Sequence, residues 1–147
     1  MSAVERRINL RLLSYWEKLR RGRTMPGPEE LNPDDLRDLW DCCFTIHAPE
    51  VYKADFNYSY LGQFIIDAYH EGHIKGDSGP MISPIAANTS AHFRKVMETG
   101  KPLTEEGQFT NRNGKIVKYR QCLMPLGRED KIAVIFGGLS FKIFSDA

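Results

Sequence analysis

From about Val4 to Arg21 the apolar residues Val4, Ile8, Leu12, Tyr15 and Leu19 recur at steps of three and four, with Leu13 and Trp16 widening the stripe. That period predicts an amphipathic helix. Gly22 closes it, and Pro26 and Pro28 forbid immediate continuation, so residues 23–30 read as a surface connector. In the run Asn32-Pro33-Asp34-Asp35, Asn32 serves as a cap, Pro33 suits the first helical position, and two carboxylates sit at the positive end of the dipole. A short helix to Leu39 or Trp40 is expected. The pattern then turns extended. Residues 42–46 form one short strand ended by Pro49, and Phe56, Tyr58 and Tyr60 alternate with Asn57 and Ser59 in a second.

Phe64, Ile65, Ala68 and Tyr69 return to helical spacing over residues 63–69, closing near Gly72. Residues 72–79 carry three glycines and few apolar side chains and read as a mobile loop. A longer helix follows to Thr99, capped by Ser83, with Pro84 in its first turn and Ile85, Thr89, His92, Phe93, Val96 and Met97 along one side; Gly100 stops it. Beyond Pro102 the chain alternates. Residues 103–110 and 116–126 flank Asn111-Arg112-Asn113-Gly114, a hairpin signal, and residues 127–130 make a second turn into a long strand over 131–144. Both sides of that last strand are apolar at its centre. It is therefore central in its sheet and covered on both faces, one by the middle helices and the other by the N-terminal helix or a second subunit.

The order predicts an α+β fold: a five-stranded antiparallel sheet with helices across one face and an N-terminal amphipathic helix. With 147 residues, 41% hydrophobic and 27% charged, the chain has ordinary globular composition and no repeat or low-complexity segment. Residues 1–30 read as helix and connector, and 31–147 as the sheet-bearing part of one globular unit. The formal charge is only +1, which gives no electrostatic case for binding nucleic acid. That sum hides an asymmetry, since residues 1–25 carry +5 and residues 29–55 carry −6. The two segments either face each other, within a molecule or across a dimer, or form solvated surfaces. Cys42, Cys43 and Cys122 make no disulfide framework and sit at no zinc spacing, so they read as reduced structural thiols of a cytoplasmic protein. A membrane span and a signal segment are not expected.

A run of residues now takes on meaning together: Tyr15-Trp16-Glu17-Lys18-Leu19-Arg20-Arg21-Gly22-Arg23-Thr24-Met25-Pro26, Asn32-Pro33, Phe56-Asn57-Tyr58-Ser59-Tyr60-Leu61-Gly62, Thr99-Gly100-Lys101-Pro102, Tyr119-Arg120-Gln121 and Met124-Pro125-Leu126. From about Leu13 to Leu139 the chain resembles the alphaproteobacterial PAS domains that begin with a tryptophan-containing helix. The resemblance implies a bacterial sensory or signalling module that binds a small ligand or a partner protein, forms a homodimer, acts through a downstream signalling protein and has no catalytic output of its own. It also implies a cavity between the longer helix and the sheet, with Tyr58, Tyr60, Phe64, His92, Phe93, Phe109, Tyr119 and Gln121 nearest to it. Aromatics at these spacings more often belong to a plain packed core. Leu12, Tyr15, Trp16, Leu19, Arg20 and Arg23 are the expected dimer or partner residues, the two arginines reaching an acidic stretch such as Asp34, Asp35 and Asp38 or capping the end of their own helix.

No nucleophile elbow, phosphate-cradling loop or paired-histidine zinc motif is present in the sequence, and no catalytic residue or metal ligand is assigned. His70 and His73 read as loop residues and His47 as a surface residue. Some PAS sensors hold haem through a histidine on the helix that carries His92, but a hydrogen-bonded helix residue is the expectation here, and the cofactor stays unassigned. Two other classes compete with the sensor: an NTF2-like α+β enzyme with an acidic or histidine general base, and an interaction module with a filled core. Two short strands before the longer helix separate the sensor from the enzyme.

Overall fold

The computed structural model describes residues 2–52, 57–74 and 83–144. Eight regular elements follow in order: α1 (Ser2–Arg20), β1 (Cys43–His47), β2 (Tyr58–Leu61), α2 (Gln63–His70), α3 (Ser83–Thr99), β3 (Leu103–Thr110), β4 (Ile116–Arg128) and β5 (Lys131–Phe144). The strands form one five-stranded antiparallel sheet in the order β2-β1-β5-β4-β3, so the terminal three-stranded meander joins the early hairpin through β1 and β5. Two strands precede α3, which removes the NTF2-like reading. Phe56 and the loop residues 75–79 lie outside the described residues, as do the side chains of Val4, Ile85 and Thr89.

Alternation along the strands sorts the core into two layers. On the inner face, Phe44, Ile46, Tyr119, Leu123, Ile135 and Leu139 pack with Ile65, Ala68, Phe93 and Val96 of α2 and α3. On the outer face, Cys43, Cys122, Met124, Leu126 and Phe136 pack with Ile8, Leu12 and Trp16 of α1. The central strand is thus covered on both sides by its own chain. α1 runs alongside β4: Leu12 sits over Gly138 and close to Cys122, and the Trp16 indole donates to the Pro125 carbonyl at 2.8 Å. A Cβ at Gly138 would strike the buried Leu12 side chain, so a bare backbone is what lets the helix settle at this depth.

Three expectations are corrected. Residues 33–36 and 40–42 form separate 3₁₀ turns rather than one short helix. Asn32 does cap the first, accepting from the Asp34 amide at 3.0 Å, but Leu36 and Leu39 lie three residues apart and are both buried under α1, which suits the three-residue repeat. The β4–β5 turn is tighter than 127–130: β4 runs on to Arg128, Gly127 sits at a register shift, and Glu129 and Asp130 alone turn the chain, at φ 54° and 62°. Both central residues have positive φ, as in a type I′ turn, which suits the right-handed twist of two long strands. A third correction concerns the early hairpin. Phe44 pairs with Leu61, Thr45 with Tyr60 and Ile46 with Tyr58, so Ser59 is an extra residue. The bulge breaks the alternation that put Tyr58 and Tyr60 on one face.

Candidate functional site

The inner face carries a polar chain inside an otherwise apolar and aromatic layer. His92 on α3 meets Glu105 on β3 at 2.7 Å, Nδ1 to Oε2. The other carboxylate oxygen of Glu105 accepts from Gln121 Nε2 on β4 at 2.5 Å. The Glu105 side chain is 8% exposed against 33% for His92, and Gln121 is buried at 1%. Both oxygens of a nearly buried carboxylate are therefore satisfied, one by the covering helix and one by the sheet. Backbone register sets this up: Glu105 lies directly opposite Gln121, and Gln121 opposite Leu139.

Around the chain, Phe109 and Tyr119 contact at a 6.0 Å centroid separation, and Tyr58 meets Phe44 edge-on at 5.4 Å. Phe44 in turn lies 6.5 Å from Phe93. Gly107 is opposite Tyr119 in the ladder, and a Cβ there would fall 2.6 Å from the phenol ring carbon Cζ, so the tyrosine lies across the space a side chain would need. Burial pushes the Tyr58 phenol well above its ordinary range.

Of the eight expected cavity residues, Tyr58, His92, Phe93, Phe109, Tyr119 and Gln121 share this inner layer. Tyr60 does not. The bulge sends it to the outer layer, where it stacks on Trp40 at 4.4 Å and donates to the Trp40 carbonyl at 3.0 Å. Phe64 is also corrected: it opens α2, is 41% exposed, and packs on Phe141 at 5.1 Å rather than inside. Glu105 was missed. Two adjacent glutamates in a strand read as solvent-facing, yet Glu105 falls between Leu103 and Phe109 at even spacing on the buried side of β3.

Removal of Glu105 has an expected cost. In Glu105→Ala the buried Gln121 amide and the His92 imidazole each lose their bond to the carboxylate, so chemical unfolding shows a loss of about 1–3 kcal/mol. Glu105→Gln costs less, because its amide oxygen still accepts from Gln121 and its NH₂ still reaches an unprotonated Nδ1. Equal urea midpoints for the two variants would mean that the chain contributes no specific bonds.

The expected dimer residues lie elsewhere. Leu12 and Trp16 are buried, at 0% and 5% exposure, in the chain's own outer layer. Tyr15 and Leu19 are half-buried, and the Tyr15 hydroxyl donates to Asp35 at 3.0 Å. Arg20 and Arg23 do not reach Asp34, Asp35 or Asp38: Arg20 pairs with Glu17, while Arg23 pairs with Glu30 and donates to the Leu19 and Arg20 carbonyls, capping the end of α1. Arg11 is the cation that crosses to the acidic stretch, in a two-bond pair with Asp38 at 2.6 and 3.0 Å. The hydrogen bonds from Arg11 hold the Asp38 carboxyl below its usual range.

Desolvation raises the cysteine thiols, Cys42 to about 11 and the buried Cys43 and Cys122 further, so none is a ready thiolate. His73 pairs with Glu71 at 2.8 Å, and His47 is exposed. Among the described residues no group of three or more metal-ligating side chains converges, and no helix is long and apolar enough to cross a membrane.

A five-stranded antiparallel sheet with helices over one face, a polar chain tying the longest of them to it, and an amphipathic helix on the other face define a PAS-like α+β domain. The family model described as PAS domain matches residues 4–140, and the chain belongs to that family. Its members are in general non-catalytic sensory modules that commonly mediate interactions. A comparison with curated proteins finds no match.

Proposed function

We propose that this PAS domain binds a small ligand or a partner protein at α3 and the inner sheet face, pairs with a second copy, and passes the signal to a downstream protein without a chemical step of its own. The observation that supports it is the His92–Glu105–Gln121 chain, because it joins a helix to the sheet through one nearly buried carboxylate. A ligand that offers Glu105 a better donor displaces His92 and frees α3 to shift, and one that bridges the two holds α3 down. The path outward is short. Gln121 is followed by Cys122, which faces the opposite layer beside Leu12, so a change at the inner chain is one residue from the seat of α1. α1 is then the element whose packing a partner reads.

The test is a thermal-shift screen of polar aromatic compounds on the purified chain, followed by hydrogen exchange on the binders. A compound at a hundred times its Kd adds about 2.7 kcal/mol to stability. It is expected to slow exchange in α3 and alter it in α1, and Gln121→Leu should weaken both effects. Protection confined to α3 would sink the outward path, and neither a binder nor a stable partner would sink the proposal. The interaction-only reading is favoured by one observation: Ile65, Phe93, Ile135 and Leu139 are at most 2% exposed, so the described inner layer is densely filled. In that case a partner shifts the exchange of α1 and no small compound does.

A further inference from the structure

The sheet ends on β3, and that edge is open. In an antiparallel ladder, successive residues alternate between exchanging both backbone bonds with the partner strand and pointing them away from it. The Asn111 amide donates to the Lys115 carbonyl at 2.8 Å, and the β3–β4 register runs without a shift from Thr110 opposite Ile116 to Leu103 opposite Leu123. Counted back from Asn111 in steps of two, residues 103, 105, 107 and 109 bond to β4. Thr104, Glu106, Gln108 and Thr110 therefore turn their N–H and C=O groups outward, and none of these makes a backbone bond to another element among the described residues. Their side chains are exposed, on the face opposite Leu103 and Phe109. An unpaired strand edge of this length is a template for a further strand.

Beside the edge runs a groove. α1 lies over β4 and β5, and between its flank and β3 is a hollow of about 500 Å³ lined by Asn9, Leu10, Leu13, Thr104, Glu106 and Arg120. Glu106 and Arg120, paired at 2.7 Å, also line a second hollow of about 420 Å³ with Gln108, Lys118, Lys142 and Phe144, so the two are continuous along β3. Their ends differ in chemistry. At the α1 end Leu10 is 66% exposed and Leu13 half-buried. Asn9 is only 9% exposed, and its Oδ1 is a buried acceptor with no hydrogen-bond partner among the described residues. Such an acceptor weakens the free domain and gains from a donor brought into the groove. At the far end Lys118 and Lys142 lie directly opposite each other, a like-charge pair that an anion relieves. Both ammonium groups stand near the Phe144 ring, at 4.9 and 5.4 Å from its centroid, and neither has an acid in an ion pair among the described residues.

We propose that this groove takes an extended segment of a different protein, which adds to β3 as a sixth strand, seats an apolar side chain against Leu10 and Leu13, and places an acidic side chain at Lys118 and Lys142. Side chains four residues apart in a strand share a face and stand about 13 Å apart, the span from Thr104 to Gln108. The apolar and acidic residues of the segment are therefore four positions apart. Main-chain bonds to the outward groups of β3 supply affinity, and the two side chains supply selectivity. A second copy of this chain fits poorly, because its own β3 presents Thr104, Glu106, Gln108 and Thr110 on that face and brings nothing apolar to Leu10. The groove is separate from α3 and the inner sheet face, so the inference stands or falls independently of the ligand reading proposed above.

Fluorescence anisotropy on the full chain tests it, using a labelled threonine-rich peptide with leucine and glutamate four positions apart, and circular dichroism confirms the fold of each variant. Saturable binding is expected, with amide exchange at Thr104, Glu106, Gln108 and Thr110 slowed in the complex. Gln108→Pro removes an outward N–H and obstructs the incoming backbone while leaving the β3–β4 bonds alone, so affinity falls about tenfold or more, whereas Gln108→Thr keeps it. Asn9→Leu removes the orphaned acceptor: the melting temperature holds or rises while binding weakens severalfold, a combination that a merely structural asparagine does not give. Lys118→Glu with Lys142→Glu weakens the glutamate peptide about tenfold and favours its lysine counterpart. If Gln108→Pro does not fold, N-methylation of the peptide's β3-facing amides makes the same test without altering the protein. A wild type that does not bind the peptide, or binding that neither Gln108→Pro nor N-methylation changes, overturns the proposal. A chain that self-associates and comes apart on Gln108→Pro assigns the edge to a second copy and equally rejects the foreign segment.

Discussion

Trp16→Ala is expected to remove about 3–5 kcal/mol of stability, read from chemical unfolding, because it deletes one of the largest buried side chains of the outer layer. The indole is 5% exposed and its Nε1 donates to the Pro125 carbonyl within that layer. Alanine leaves a cavity under the C-terminal half of α1 and strands the carbonyl without its donor. It also removes the ring over which the Arg20 guanidinium lies, at 5.8 Å. In a domain of this size the melting temperature falls by roughly 10 °C. Trp16→Phe isolates the hydrogen bond: it keeps a ring in the space, loses the donor, and should cost about 1–2 kcal/mol. The series also tests the division of the chain after residue 30. A detachable helix would give up less than about 1 kcal/mol on losing Trp16, as surface residues do. A helix that is half of the outer core gives the larger figure.

Most of the architecture was legible because its signals are local and repeated. A three-and-four spacing from Val4 to Leu19, an Asn-Gly turn between alternating runs, and a final strand apolar on both faces each limit the topology. What escaped lies where a single residue changes the phase. Nothing in Tyr58-Ser59-Tyr60 marks Ser59 as the residue that opposes no partner of its own, yet its insertion moves Tyr60 to the opposite layer. The serine hydroxyl pairs with Thr45 Oγ1 at 2.8 Å, a contact that only the folded register brings about. Glu129-Asp130 escaped for a related reason, since neither is glycine and both adopt positive φ. Glu105 is different. Its even spacing with Leu103 and Phe109 was readable, and charge alone argued against burial, but His92 and Gln121 are distant in sequence and supply the bonds that make burial tolerable.

Phe93→Ala is the second large expectation, again about 3–5 kcal/mol for the loss of a fully buried ring from the inner layer. Its size bears on function. Phe93 follows His92 on α3 and faces Phe44, so it fixes the helix at the height where the imidazole meets Glu105. The cost of such a truncation rises with the volume left empty, and therefore with how closely the neighbours were packed beforehand. An inner layer without room for a ligand gives a loss near 5 kcal/mol, a dry cavity and a fixed α3. A layer built to admit one lets α3 settle into the vacated space, gives a loss nearer 3 kcal/mol, and breaks the His92–Glu105 contact as the helix moves. Measuring Glu105→Ala in the Phe93→Ala background separates these outcomes. Additive losses mean that α3 kept its height and the contact survived. A Glu105 substitution that costs almost nothing in that background means that the helix had already left the carboxylate, and the seat of α3 is then the adjustable part of the domain.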